Sequence, residues 1–149
     1  MDQTDIAILN ELRQHARISN KLLAERVNLS PPAVLERVKK LRERGIISEF
    51  VTRVDTALLG YNLTVLMELK IERNLSSAHI SRALAQIPEI LEIHDAAGNC
   101  DYILKIVAKN NRQLQDIMHT IGNIPGVVSS NSKMLLSTIK SELYPEIKA

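Results

Sequence analysis

The basic side chains between residues 13 and 44 are the first group whose residue types and spacing indicate a binding function. Nine lysines and arginines stand there against three glutamates, which gives a local charge of +6. The whole chain has 149 residues and a net charge of +2, and residues 61–149 carry as many acids as bases. A positive stretch joined to a neutral second half favours a module that binds a polyanion, although a solvated helix face would have the same composition.

The loop over residues 98–102, with the sequence GNCDY, is the second group. Gly98 allows the backbone to approach a neighbour or a ligand closely. The Asp101 carboxylate suits an α-ammonium group, and the backbone N–H groups of a turn suit a carboxylate. These groups suit a small ligand that carries both an ammonium and a carboxylate group. The alternative is a tight turn whose Tyr102 packs into a sheet.

Other reactive residue types lack the pattern that would make them sites. Cys100 is the only cysteine, which precludes an intrachain disulfide and suits a reducing cytoplasm. No cation adjoins it in sequence to activate the thiol, so we expect a small loop residue and not a redox sensor. The four histidines lack metal-ligand spacing, so no metal is expected. Short apolar runs and an acidic N-terminus predict neither a membrane span nor a signal peptide.

Capping residues predict three short helices in the first part of the chain. Asp2 caps the first, Ser19 the second, and Ser30-Pro31 opens the third with a hydroxyl followed by proline. Asn28 suits a left-handed turn between the second and third helices. Helices joined by so short a turn pack at a steep angle, which is typical of a helix-turn-helix.

Apolar spacing predicts which faces of these helices are buried. The predicted stripes are Ile6, Leu9 and Leu12 on the first helix, Leu22, Leu23 and Val27 on the second, and Val34, Val38 and Leu41 on the third. Gly45 ends the third helix. From Ile46 to Val54 the apolar period falls to two, which predicts a strand or wing, and residues 55–62 with Gly60 form a hinge.

The second half contains an internal repeat. Apolar positions of one helix and its Ile-Pro end recur 37 residues later: Ile80, Leu84, Ile87 and Pro88 against Ile117, Ile121, Ile124 and Pro125. A period-two segment precedes each helix. The order strand-helix-strand, taken twice, predicts a βαββαβ antiparallel sheet with both helices on one face. The other face, with Leu66 and Leu135, needs a cover, and a second copy of the chain would supply it as a homodimer.

Several motifs, in order along nearly the whole chain, resemble the Lrp/AsnC (leucine-responsive, feast/famine) transcription regulators. They are Ile18-Ser19-Asn20, Leu29-Ser30-Pro31-Pro32, Leu35-Glu36-Arg37-Val38, Gly98-Asn99-Cys100-Asp101-Tyr102 and Ile124-Pro125-Gly126-Val127. The resemblance implies an α+β chain: a winged helix-turn-helix of three helices plus a short strand over residues 1–54, a hinge over 55–62, and a ferredoxin-like (ACT-like) βαββαβ domain over 63–149 for effector sensing and oligomerisation.

The same resemblance implies a cytoplasmic, nucleoid-associated prokaryotic regulator of transcription. It would bind double-stranded DNA as a homodimer that often assembles into an octamer. It would need no cofactor apart from a possible amino-acid effector, and it would not be an enzyme.

Residues at two helix starts are the candidates for DNA contact, because the N-terminal end of a recognition helix enters the major groove. The candidates are Ser19, Asn20, Lys21, Ser30, Pro32, Ala33, Arg37 and Lys40. Pro32 and Ala33 suit thymine methyl groups, and Arg37 suits guanine or phosphate. Alternatively, the two serines act only as caps, and Arg37 pairs with a neighbouring acid, Glu25, Glu36 or Glu43. Lys39 and Lys40 contribute mainly to the positive field.

The effector candidates follow from the resemblance, in which the loop and the last strand face each other across a dimer–dimer interface. They are Ala97, Gly98, Asn99, Asp101 and Tyr102 in the loop, with Leu136 and Thr138 on the last strand. Asn99 departs from the family pattern, because many relatives have an acid there. An apolar amino acid such as leucine or methionine suits the lower charge.

Two other functions compete with a sensing regulator. An architectural protein would bind DNA without an effector. A siroheme decarboxylase-like enzyme would need clustered histidines and arginines for a tetrapyrrole, and the second half has only three arginines, none of them clustered. The basic stretch also favours DNA over a tetrapyrrole.

Overall fold

The computed structural model describes residues 1–72, 77–141, 145, 147 and 148. The chain divides into two compact units. Unit 1 comprises Met1–Arg53 together with the described residues from Ser141 onward, and unit 2 comprises Val54–Lys140. The sequence-based division put everything after residue 62 in one domain. The structure differs at the C-terminus, because Ile147 packs against the hydrophobic core of unit 1.

Three helices build unit 1: α1 (Gln3–Gln14), α2 (Asn20–Arg26) and α3 (Pro31–Glu43). Each begins after the capping residue predicted from sequence. The Asp2 carboxylate accepts a hydrogen bond from the Asp5 backbone N–H at 2.8 Å, and the Asp5 carboxylate accepts one from the Asp2 N–H at 3.2 Å. This reciprocal box satisfies N–H groups that a helix start leaves without partners. The three predicted helix starts are confirmed.

Asn28 holds the turn between α2 and α3 in a left-handed conformation, with φ of 53°. Gly45, with φ of 72°, does the same after α3. Both conformations are disfavoured for side chains with a branched Cβ, and asparagine tolerates them better than most residues. The predicted turn chemistry at both positions is therefore confirmed.

Replacing Asn28 with valine is expected to lower the free energy of unfolding by about 1–2 kcal/mol, because a β-branched side chain is strained at positive φ. Asn28→Gly is the matched control and should be close to neutral. Urea denaturation of the two variants measures the difference. Equal stability of the valine and glycine variants would show that this turn is not held left-handed.

Side chains from all three helices form the core of unit 1. The fully or nearly buried ones are Ile8, Leu9, Leu23, Ala24, Val34 and Leu41. The predicted stripe of α3 is confirmed. On α1 the pattern was partly wrong: Ile8 is fully buried, and Ile6 is only half-buried. On α2, Leu22 is exposed.

The segment that follows α3 does not form the predicted strand. Within the described residues, 46–54 belong to no β-ladder. The alternation of side chains was present in the sequence, but a strand also needs a hydrogen-bonded neighbour, and the chain supplies none here. Phe50, Val51 and Val54 remain about half exposed. The short strand of the predicted wing is therefore wrong for the single chain.

Unit 2 has the predicted βαββαβ order. Its elements are β1 (Leu63–Ile71), α4 (Ser77–Leu84), β2 (Ile90–Asp95), β3 (Tyr102–Ala108), α5 (Asn111–Gly122) and β4 (Val127–Leu135). The strands form one antiparallel sheet in the order β2-β3-β1-β4. Alternate residues of β1 and β3 pack against α4 and α5, so both helices cover the same face of the sheet. No helix in the described residues is long and apolar enough to cross a bilayer.

Charged pairs lie across the other, helix-free face of the sheet. Lys133 and Asn131 on β4 donate to the Glu68 carboxylate on β1. On β2, Glu92 accepts a hydrogen bond from Lys105 of β3 at 2.7 Å. These partners hold the pKa of both carboxyls below the ordinary value. The two predicted apolar residues of this face are half-buried: Leu66 lies between Lys105 and Lys133, and Leu135 lies opposite Thr64 at the end of β4.

Candidate nucleic-acid interface and effector site

The start of α3 presents backbone N–H groups beside exposed side chains. The Ser30 Oγ accepts a hydrogen bond from the Ala33 N–H at 3.4 Å. Ser30 and Pro32 are exposed, and Ala33 is half-buried. The first turn contains no acidic residue. The positive end of the helix dipole is therefore open to an anion, as a recognition helix requires.

The start of α2 is similar in composition. The Ser19 Oγ accepts a hydrogen bond from the Leu22 N–H at 3.2 Å, so this serine acts as a cap. Asn20 and Lys21 follow it as exposed side chains, and the first turn has no acid. Capping uses one lone pair of a hydroxyl, which leaves Ser19 able to donate to a phosphate.

Arg37 is paired with two carboxylates from the start of α1. Its Nη1 lies 2.7 Å from an oxygen of Asp2 and 2.7 Å from an oxygen of Asp5. The sequence left open a pairing with Glu25, Glu36 or Glu43, and the structure gives a different answer. Both contacts use the same nitrogen, so neither carboxylate occupies Nη2 or Nε. The guanidinium is fixed in place with donors to spare.

The same cluster shifts the pKa of Asp2 and the pKa of Arg37. The Asp5 backbone N–H and then the Arg37 guanidinium lower the pKa of Asp2 below 3.8. Hydrogen bonds to Asp2 and Asp5 raise the pKa of Arg37. A carboxyl whose pKa is lower in the folded state stabilises the fold above its unfolded-state pKa. That contribution is lost as the pH falls through the folded-state value.

An NMR titration of the Asp2 carboxyl is expected to have its midpoint below 3.8. In the variant Arg37→Met the midpoint should rise, because one of the two main partners is gone. It should not return fully to 3.8, because the Asp5 N–H still donates to the carboxylate. Identical midpoints in the two proteins would contradict the ion pair.

Apart from Arg13 and Arg37, the cations of the basic stretch fall into two groups. Three have acidic partners: Arg26 with Glu11 at 2.6 Å, Lys39 with Glu43 at 3.8 Å, and Lys40 with Glu36 at 3.5 Å. Four form no ion pair within the described part of the chain: Arg17, Lys21, Arg42 and Arg44. Arg42 and Arg44 at the end of α3 are therefore stronger phosphate candidates than the predicted Lys40.

Leu35 is a candidate that the sequence analysis did not single out. Its side chain is 56% exposed on α3, one turn after Pro32. Lys39 and Arg42 follow on the same side at helical spacing. The sequence could have indicated its exposure, because Leu35 lies outside the buried stripe of Val34, Val38 and Leu41. A large apolar side chain among exposed cations suits a base edge that carries a methyl group.

The loop between β2 and β3 presents three predicted effector residues to solvent. Ala97, Gly98 and Asn99 are all exposed. Gly98 has φ of 138°, and a Cβ built on it would meet no atom within 4 Å. The glycine is therefore required by backbone conformation and not by close packing within this chain. The space above it is open to a ligand or a partner.

Asp101 anchors this loop to the end of β1. Its Oδ2 accepts a hydrogen bond from the Ile71 N–H at 2.9 Å, and its own N–H donates to the Leu69 carbonyl at 2.8 Å. A carboxylate has a second oxygen, so a ligand ammonium could still bind. Tyr102 is 4% exposed and belongs to the core of unit 2, as the tight-turn alternative proposed.

The other two predicted effector residues lie beyond the last strand, which is a correction to their predicted place. β4 ends at Leu135, opposite Thr64 near the start of β1, so Leu136 and Thr138 have no strand to pair with. Tyr102 pairs with Leu69 near the other end of β1. Five residues of strand separate these two points, about 17 Å. One chain therefore does not bring its loop and its Leu136–Thr138 segment together.

Metal ligands do not cluster in the part of the chain that the structure describes. No group of three or more histidine, cysteine, aspartate or glutamate side chains there could hold a metal ion. Cys100 is a free thiol, half-buried in the effector loop.

Two family models match the chain in the order of its two units. A model described as winged helix-turn-helix DNA-binding matches residues 1–48, and a model described as the Lrp/AsnC ligand binding domain matches residues 64–144. The first match includes α1–α3, and the second includes β2–β4 and all of β1 except Leu63.

Named relatives match nearly the whole chain. The transcriptional regulator AzlB of Bacillus subtilis is 35% identical over 143 residues, covering 94% of this chain and 91% of its own. The leucine-responsive regulatory protein of Escherichia coli is 31% identical over 143 residues, covering 94% and 87%. A solved structure of the Neisseria meningitidis transcriptional regulator NMB0573 in complex with L-Met has a TM-score of 0.93 at 25% identity, covering 99% and 96%. These relatives are regulators and not enzymes, and the chain belongs to the Lrp/AsnC family of transcription regulators.

Proposed function

We propose that this regulator reads a specific double-stranded DNA sequence with unit 1 and that an amino acid bound to unit 2 modulates its affinity. The observation that carries the DNA role is the acid-free start of α3, in a unit that also has four cations with no acidic partner in the described residues. Family membership supports the sensing role. We place the protein on the nucleoid of a prokaryotic cytoplasm, with unit 1 as the DNA-binding domain and unit 2 as the sensing domain.

The proposed DNA contacts are of two kinds: contacts to phosphates, which position the protein, and contacts to base edges, which recognise the sequence. Ser19, Asn20 and Lys21 hold phosphate and set the register of the protein on the duplex. Base edges are contacted from the first turns of α3. The reading set is Ser30, Pro32, Ala33 and Leu35, with Arg37 presenting the donors that its two carboxylates leave open. Lys40, Arg42 and Arg44 add phosphate attraction at the end of the helix.

Thymine methyl groups provide a test of Leu35. A duplex is first selected from random-sequence DNA by the protein itself. Replacing one thymine by deoxyuridine removes a single methyl and is expected to weaken binding about fourfold where Leu35 contacts it. The variant Leu35→Ala should bind the two duplexes equally. An undiminished methyl effect in that variant would assign the contact to another residue.

The effector pocket is composite in this proposal. Ala97, Gly98, Asn99 and Asp101 come from the loop of one chain, and Tyr102 anchors that loop in the core of unit 2. Leu136 and Thr138 come from another chain, because about 17 Å of strand separates the two groups within one chain. The proposal therefore requires a homodimer through the helix-free face and a further assembly, such as an octamer, that apposes loop and tail segments.

The chemistry of the composite pocket suits a small apolar amino acid. The free oxygen of Asp101 receives the α-ammonium group, and N–H groups of the loop receive the carboxylate. Asn99 carries no charge, and Leu136 offers an exposed apolar side chain. Two relatives support this class, since one is named leucine-responsive and another was solved with L-Met.

Calorimetry against a panel of L-amino acids, combined with light scattering, tests the sensing role. We expect heat of binding and a change of assembly state with an apolar amino acid, and neither with L-aspartate. The variant Gly98→Val should abolish the response, because valine is strained at a φ of 138°. DNA binding with no heat and no change of assembly from any amino acid would instead favour an architectural protein.

A further inference from the structure

The described C-terminal residues bind to the side of α1. Asn10, in the middle of α1, uses both ends of its side-chain amide on one residue of the tail. Its Nδ2 donates to the Ile147 carbonyl at 3.0 Å, and its Oδ1 accepts from the Ile147 N–H at 3.3 Å. This pair of bonds recognises extended backbone as a neighbouring strand would. It therefore fixes the position of Ile147 along the helix.

The Ile147 side chain reinforces this attachment. It packs against the core of unit 1, and it lines a cleft of about 710 Å³ together with Leu9, Leu12, Phe50 and Pro145. The apolar side chains supply the hydrophobic contact, and the two hydrogen bonds of the Asn10 amide fix the orientation of the tail. The cleft belongs wholly to unit 1. Hydrophobic contact and paired hydrogen bonds together give the tail a defined docked position.

A third contact joins the tail to the outgoing chain. Arg53 Nη1 donates to the Ser141 carbonyl at 2.8 Å. Arg53 is the last residue of unit 1 before the chain enters unit 2, and Ser141 is the first residue after it returns. The two covalent connections between the units are therefore bonded to each other where they leave unit 1. One of them, residues 136–140, contains the effector candidates Leu136 and Thr138.

We infer that the groove beside α1 is an intramolecular docking site for the chain's own C-terminal segment and that this attachment carries the effector signal to the DNA-binding unit. A unit held by one flexible connection has more conformational freedom than a unit held by two. An amino acid that orders Leu136 and Thr138 shortens the free length of the second connection. This inference rests on the proposed function, because it assumes that an amino acid binds to unit 2. It goes beyond that function by naming the segment through which binding affects unit 1.

The occupant of the groove can be tested without any effector. In a Cys100→Ser background, cysteines replace Asn10 and Ile147, because the Asn10 side chain lies 3.0 and 3.3 Å from the carbonyl and the N–H of Ile147. Oxidation is expected to give a cross-link within one chain, seen as a fast-migrating monomer on a non-reducing denaturing gel. Each single-cysteine variant is the control and should give no cross-link within one chain, because a disulfide needs two thiols. A covalent dimer would make a second copy the occupant, and no cross-link would remove the docking site; either overturns the proposal.

The signalling role is tested with Ile147→Asp and Asn10→Ala in the full chain. Both variants should bind DNA within about threefold of the unmodified protein when no amino acid is present, because neither residue contacts DNA. The unmodified protein should change its DNA affinity by about 5- to 150-fold with the effector, and the variants by less than about twofold. Thermal unfolding of each variant confirms that unit 1 remains folded.

A failure of this inference can be distinguished from a failure of the proposed function. If the unmodified protein does not respond to any amino acid, the sensing part of the proposed function fails, and the cysteine pair still decides whether the tail docks. If the unmodified protein responds and Ile147→Asp responds equally, the tail does not carry the signal, and the proposed function stands.

Discussion

Raising the monovalent salt concentration from about 50 to about 200 mM is expected to weaken DNA binding by about a thousandfold. The reason is that phosphate contacts release condensed cations from the duplex. About six such contacts give a log–log slope near −5. The structure provides enough donors, since Lys21, Arg42 and Arg44 have no acidic partner in the described residues and two helix starts add N–H groups.

A charge-removal series makes this prediction specific. The double variant Arg42→Ala/Arg44→Ala should reduce the slope by about 2, because each lost phosphate contact removes about one unit. Arg82→Ala/Arg112→Ala is the matched control, since it removes two exposed arginines from unit 2. Fluorescence anisotropy on a labelled duplex over a range of salt concentrations measures both slopes. A flat response in the unmodified protein would contradict phosphate-dominated binding.

Truncating Leu104 to alanine is expected to lower the free energy of unfolding of unit 2 by about 2–5 kcal/mol. Leu104 lies at the centre of β3 with 0% exposure, between α4 and α5 on one face and the paired strands on either side. Its loss removes apolar contacts and leaves a cavity that close-packed neighbours fill only in part.

Urea denaturation measures this loss, and Leu58→Ala is the control. Leu58 is 86% exposed, so its truncation should change the stability by less than about 0.5 kcal/mol. Equal midpoints for the two variants would contradict the core assigned to unit 2. If the unit folds only as an assembly, both midpoints will depend on protein concentration, which a dilution series detects.

Local signals explain why so much of the fold was predictable. The caps at Asp2, Ser19 and Ser30 each act over three residues, and the left-handed turn at Asn28 is decided by one residue's φ. The 37-residue repeat was also visible without a structure, because each copy must bury the same apolar positions against the same sheet. These features depend on neighbours that the sequence places nearby.

Features that depend on distant partners could not be predicted in the same way. The alternation over residues 46–54 indicated a strand, but the strand needs a neighbour that the single chain does not provide. Arg37 was expected near Glu25, Glu36 or Glu43, and its partners come from the start of α1, more than thirty positions earlier. The docking of Ile147 on Asn10 spans 137 positions and has no periodic signal at all.

The effector site was predictable from the sequence only in part. The loop and its glycine were predictable from residue types, and the structure leaves Gly98 open to solvent. Pairing of the strands then decides that Leu136 and Thr138 lie at the opposite end of β1 from that loop. Residue types alone could not give this separation, because it depends on where β4 begins and ends.

Footprinting on the DNA around this protein's own gene, at low ionic strength and with and without apolar amino acids, tests the central claim most directly. The account predicts protected patches on one side of the duplex, about 10 base pairs apart or at multiples of that spacing, as a twofold pair of recognition helices would give. It also predicts that an apolar amino acid changes the pattern. A protein that stays monomeric and protects no DNA under these conditions would contradict the account.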